Sequence, residues 1–199
     1  MSEAKSSREA ILGRLRNASV SGPDLPDVPN YRIAGDPIEN FRRNLKGYDG
    51  DIVEVPNRAD ALDTARKIAA EYARIFSAVP EVDGCGIPAD AAEAQTVGAA
   101  VVEASIGVGE TGSVWLTYDA LRSPGAVLFS EHVIVLLDIK NIVDGMHTAY
   151  ELLNQRGWDE ICYGSWFTGP SATADIEAVR VVGAQGPRAL TVVLYGSPE

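Results

Sequence analysis

The stretch "HVIVLLD" (His132–Asp138) decides the fold class. Between its histidine and its aspartate the residues Val133 to Leu137 are all aliphatic. A strand with one solvated face alternates apolar and polar side chains, whereas an unbroken aliphatic run suits a strand covered on both faces, here by helices. The run is also too short for a helix. Upstream, "DIVEVP" (Asp51–Pro56) and "RIFSAVP" (Arg74–Pro80) read as strands on either side of "NRADALDTARKIAAEYA" (Asn57–Ala73), an Asn-capped, Ala-rich helix. "DPIENFRRNLKGY" (Asp36–Tyr48) carries an Asp cap, a Pro at the first helical position and Gly47 as a stop. "GAAVVEASIGV" (Gly98–Val108) and "TGSVWLTY" (Thr111–Tyr118) read as two further strands. Downstream, "NIVDGMHTAYELLNQRG" (Asn141–Gly157) predicts a helix closed by Gly157, and "ICYGSWFTGPSATADIEAVRVVG" and "ALTVVLYG" supply the last strands. Strands alternating with helices predict an α/β domain with a mainly parallel layered sheet flanked by helices, here over residues 36–199.

Residues 1–35 differ. Helical spacing over residues 3–17 groups Ala10, Ile11, Leu15 and Ala18, and an arm with Pro23, Pro26, Pro29 and Pro37 follows. Proline removes donors and restricts its predecessor, so this segment reads as an extended arm. It is expected to pack on a partner subunit, as in a homo-oligomer.

A net charge of −11 excludes a general nucleic-acid binder, which needs clustered Lys and Arg. No run approaches the ~20 apolar residues that span a membrane, and the start of the chain lacks a signal peptide's apolar core. Cys85 and Cys162 suit a reducing compartment and cannot supply the four thiolates of a typical iron–sulfur cluster. Neither a GxxxxGK[ST] loop nor a GxGxxG after the first strand occurs, and the two histidines, His132 and His147, make no zinc motif. No cofactor is expected.

Two loops concentrate polar chemistry. In "GVGETGSVWLTY" (Gly107–Tyr118), Gly109 and Gly112 flank Glu110, and Thr111 and Ser113 add hydroxyls. Glycines let a backbone approach a ligand closely, and exposed N–H groups could face an anion. The alternative is a tight hairpin whose Glu110 is solvated or caps a neighbouring backbone. In "FTGPSATADIE" (Phe167–Glu177), the Gly169–Pro170 turn leads into Ser171, Thr173, Asp175 and Glu177, more polar functionality than a plain connection needs. Ser171 and His132 could join a hydrolytic triad, but no GxSxG elbow supports it. Tyr163, Trp166 and Phe167 could line a pocket or pack the core.

At these loops the chain resembles the LUD domain family. "GPSATADIEAVRVVGAQGPRALTVVLY" is similar to the family's C-terminal signature, "GVGETGSVWL" to its central ETG element and "SEHVIVLL" to its His-bearing strand. "FRRNLKGYDGDIVEVP" suits its opening helix and strand, so the resemblance covers roughly Phe41 to Tyr195. Two positions depart from the pattern: Ala172 after Gly-Pro-Ser, and Gln185 where a His is frequent, which leaves Arg188 as the nearest cation.

The resemblance implies a fold like that of ribose-5-phosphate isomerase, glucosamine-6-phosphate deaminase and the CoA transferases. It also implies membership of a three-protein cytoplasmic system that oxidises L-lactate to pyruvate, with iron–sulfur clusters in the two partner subunits. The expectation is then a non-redox subunit that binds a small carboxylate or phosphate, or an iron–sulfur partner, at the two loops. Its ligand-binding residues would be Gly109, Thr111, Gly112, His132, Gly169, Ser171, Thr173, Glu177 and Arg188. More loosely, the ETG element resembles the glutamate loop of CoA transferases. The alternative is therefore a free-standing isomerase or acyl-transferring enzyme, with Glu110 or Asp175 as nucleophile or base.

Overall fold

A computed structural model describes residues 7–18, 26, 29, 31–156, 163–174 and 179–197. The chain divides into two units, Met1–Asn30 and Tyr31–Glu199. In the first, α1 (Ser7–Asn17) has Glu9 in its first turn and Arg14 and Arg16 in its last, as the helix dipole favours. It buries no side chain, and Ile11 and Leu15 are exposed.

The second unit starts at its predicted cap. Asp36 accepts the Ile38 N–H (2.8 Å) and Pro37 opens α2 (Pro37–Gly47). After β1 (Asp51–Val55), the Asn57 side chain accepts the Asp60 N–H (2.9 Å) and starts α3 (Arg58–Ala69). Then come β2 (Ile75–Ser77), the short α4 (Ala91–Ala94), β3 (Ala99–Glu103), and a hairpin of β4 (Ile106–Val108) and β5 (Ser113–Thr117). Two short helices, α5 (Tyr118–Leu121) and α6 (Pro124–Leu128), lead into β6 (His132–Asp138). A 3-10 turn (Ile139–Asn141), β7 (Ile142–Val143), α7 (Met146–Arg156), β8 (Gly164–Phe167), β9 (Ala172–Thr173), β10 (Val181–Val182) and β11 (Ala189–Tyr195) complete the order.

Two larger sheets organise these elements, and β9 and β10 form a separate two-stranded antiparallel pair. The larger has the order β1-β11-β6-β3-β2, all parallel, so "HVIVLLD" is its central strand. Val133, Val135 and Leu137 point into one core cluster and Ile134 and Leu136 into another, all fully buried. At about 1.5–3 kcal/mol per buried aliphatic side chain, this strand anchors the domain. One face is covered by α3 through Ala61, Leu62, Ala65 and Ala69. The other face is covered by helices as expected, with α5 and α6 contributing Leu121, Ala126 and Val127, but not by helices alone. It meets α2 through Phe41 and Leu45, and also a second sheet through Val114, Leu116 and Phe167. That sheet, β7-β4-β5-β8, carries α7 on its far side, where Ala149 and Leu153 pack on Ile106, Val108 and Trp115.

"GAAVVEASIGV", read above as one strand, is therefore two. Ala104 N donates to Leu136 O (2.9 Å) in the parallel sheet, and the next residue, Ser105, donates to Trp115 O (3.1 Å) in the second. Both halves are apolar because each sheet is covered, and the break is marked in the sequence only by Glu103 and Ser105. The expected helix start at Asn141 is likewise late. Ile142 and Val143 pair with Gly107 and Val108 before α7 begins, and Gly157 lies outside the described residues.

Candidate functional site

Both polar loops belong to the second sheet. β4 and β8 each run antiparallel to β5, so their carboxyl ends lie at the same edge. The residues following them are thus brought together, although 55 or more positions separate them in sequence, as in the Ser113–Thr168 pair.

The first loop closes the β4–β5 hairpin, with Gly112 N donating to Val108 O (2.8 Å). Gly112 has φ +67°, and a side chain there would collide with the Leu45 backbone of α2. The glycine thus serves helix docking as well as the turn. Asn44 clasps the loop by donating to the carbonyls of Gly109 (2.8 Å) and Glu110 (2.9 Å). The Gly109 and Glu110 N–H groups donate to Val143 O (2.8 Å) and Asp144 O (2.9 Å), so neither is free for an anion. The Glu110 carboxylate accepts the N–H of Met146, the first residue of α7, at 2.9 Å. This is the geometry of a capping carboxylate at a helix's positive end.

In the second loop Gly169 has φ +65°, and a Cβ there would strike the Tyr48 carbonyl. Ser171 is tied on three sides. Its N–H donates to Pro187 O (2.8 Å), its hydroxyl to Gln185 O (2.8 Å), and its carbonyl accepts Gly183 N–H (2.7 Å). Thr173 lies on β9 opposite Val181. Asp175 and Glu177 lie outside the described residues.

The loops meet at an open cleft of about 540 Å³, lined by Thr111 and Ser113 from the first and Thr168, Pro170, Ala172, Thr173 and Ala174 from the second. Tyr48 and Arg180 complete the lining. Ser113 and Thr168 hydroxyls are 2.5 Å apart. Arg180 pairs with Asp49 (2.7 Å), the residue after Tyr48, which has φ +61°. Of the expected site residues, Thr111 and Thr173 line this cleft, whereas Gly169 and Ser171 line an adjoining cavity of about 920 Å³ beside Leu128, Phe129 and Trp166. Thr168 and Pro170 separate the two spaces. Among the described residues, Arg180 is the cleft's cation. The sequence reading did not single it out, although it lies inside the C-terminal signature and is the one basic residue between Arg156 and Arg188.

His132 and Arg188 line neither space. His132 is buried at the amino end of β6, with Nδ1 3.1 Å from Tyr72 Oη and Nε2 2.8 Å from Thr191 Oγ1. Burial holds its pKa below the usual imidazole value and keeps it neutral. Arg188 is exposed, and its backbone N–H donates to Glu131 O (2.8 Å). The carboxyl ends of the parallel sheet hold another network. Arg58 reaches Glu103 (2.9 Å) and Glu81 (2.7 Å), and the Tyr195 hydroxyl donates to Glu103 (3.0 Å). Burial, then the Glu103 charge, pushes the Tyr195 hydroxyl up to about 12.

A parallel sheet backed by a second sheet, with an open cleft where the two polar loops meet, defines a layered α/β protein. Its family follows from comparison. The LUD domain matches residues 87–195, more than half of the chain. Lactate utilization protein C of Deinococcus radiodurans is 30% identical over 215 residues, spanning 98% of this chain and all of the relative. The chain belongs to the LUD domain family. A crystal structure of a DUF162 family protein from Deinococcus radiodurans shares the fold, with a TM-score of 0.60 at 18% identity over 80% of this chain and 96% of that one.

Proposed function

We propose that this protein is the non-redox subunit of a cytoplasmic system oxidising L-lactate to pyruvate, and that it works through the cleft between the two loops. A role in lactate utilization follows from the full-length similarity to lactate utilization protein C. The observation that carries the finer reading is the convergence of Thr111 and Ser113 with Thr168 and Thr173 on one open cleft. Lactate oxidation removes two electrons, and a chain with two cysteines lacks the thiolates to hold a typical cluster alone. Electron transfer accordingly falls to iron–sulfur partner subunits, and this chain binds a small anion or positions it beside them.

The test is genetic and biochemical. Deleting the gene abolishes or slows growth on L-lactate but not on glucose, and the tagged chain co-purifies with an iron–sulfur protein. Unchanged growth on L-lactate overturns the proposal. Turnover of an acyl-CoA or sugar phosphate by the purified chain alone would point instead to a free-standing enzyme.

A further inference from the structure

We propose that the free edge of β8 receives an extended segment of a partner protein as an added strand, uncharged at its centre and basic at its ends. This goes beyond the lactate reading and does not depend on it. β8 ends the second sheet and is paired on one side, with β5. The Tyr118 N–H donates to Tyr163 O at 2.9 Å, which fixes the alternation along the pair. Ser165 and Phe167 turn their backbone groups towards β5, opposite Leu116 and Val114. Gly164 and Trp166 turn theirs outward, and among the described residues no backbone group meets them. An open edge invites pairing with another chain unless it is short, charged or covered. The other edges are so protected: β7 has two residues, β1 carries Asp51 and Glu54, and β2 is bridged by Cys85 at Phe76. β8 holds neither a charge nor a proline.

The cavity of about 920 Å³ follows that edge. Successive side chains of a strand point to opposite faces, so a space that touches every residue from Ser165 to Thr168 runs along the backbone rather than over one face. Leu128 and Phe129 form one wall, and they are 44% and 46% exposed although large and apolar. An added strand bonds to the outward groups of Gly164 and Trp166 and lays alternate side chains on that wall. Among the described residues no lining side chain is charged, and an unpaired charge is costly to bury, so the segment's centre is uncharged. The chain's net charge of −11 favours basic flanks. A second copy fits less well. Its own β8 is bordered by the same Leu128 and Phe129, so two such edges meet only if those side chains move aside. A single extended segment meets no such obstacle.

The experiment is an NMR titration of the full chain with a short synthetic peptide of alternating valine and threonine between paired lysines. The peptide is expected to bind saturably and to slow amide exchange at Gly164 and Trp166 by about tenfold or more, while Ser165 and Phe167, already paired with β5, change less. The same peptide with its central amides N-methylated should not bind, because the ladder bonds are gone. Replacing its lysines by glutamates should weaken binding about tenfold at low salt. Phe129→Ser should also weaken it about tenfold with little change in melting temperature, since the side chain is half-exposed. Leu128→Ser serves the same purpose if Phe129→Ser does not fold. No saturable binding, equal binding of the N-methylated peptide, or new protection confined to residues away from β8 would overturn the proposal. Dimerisation that Phe129→Ser abolishes, without peptide binding, would assign the edge to a second copy and overturn the partner segment.

Discussion

Glu110 illustrates what residue types can and cannot decide. A carboxylate among glycines reads as a reacting group or as a cap, and the structure adds that Glu110 accepts the Met146 N–H at the start of α7. Removing it in Glu110→Ala should cost about 1 kcal/mol in urea unfolding and leave small-anion binding intact. A loss of binding with unchanged stability would restore a direct role. His132 makes a second residue-scale prediction. The folded state disfavours its imidazolium, so the unfolded chain takes up the proton first, and stability is lost as pH falls below about 6.5. Glu81, Glu93 and Asp144 have pKa values held below the usual carboxylate range and titrate only at lower pH. The melting temperature should therefore fall between about pH 7.5 and 5.5, and His132→Gln should flatten that slope. Equal slopes would assign the effect elsewhere. Neither the burial of His132 nor its Tyr72 and Thr191 partners could be read from a lone histidine at a strand start.

At the scale of elements, the strongest local signals carried through. The caps Asp36 and Asn57, Pro37 at a helix start and the aliphatic β6 each have a local physical cause, and each stands where the sequence places it. What was not legible depended on distant neighbours. The switch of sheets at Ala104–Ser105 is marked only by Glu103 and Ser105 in an apolar run, and two-residue strands such as β7 and β9 carry no periodicity. The glycines of the first loop looked like room for a ligand, yet Gly112 is required by the backbone of α2. Gly112→Ala combines a positive φ with a backbone clash and should cost about 2–4 kcal/mol, read by chemical denaturation. A near-neutral effect would mean that α2 docks less closely on the hairpin than the structure describes.

For the whole molecule, the mainly parallel layered sheet was legible from alternation, but the second sheet between the first and α7 was not. It arises because β8 returns antiparallel to β5, and that pairing also joins the loops into a cleft. The cleft could be sensed in the sequence only as two polar loops; of the residues named there Thr111 and Thr173 line it, as does Arg180, which was not named. The most direct measurement is growth on L-lactate of a strain lacking the gene and complemented with Ala172→Trp, a substitution on exposed β9 that fills the cleft without touching the core. The variant, expressed and folded as the wild type, should fail to restore growth. Growth equal to wild-type complementation would contradict a role for the cleft.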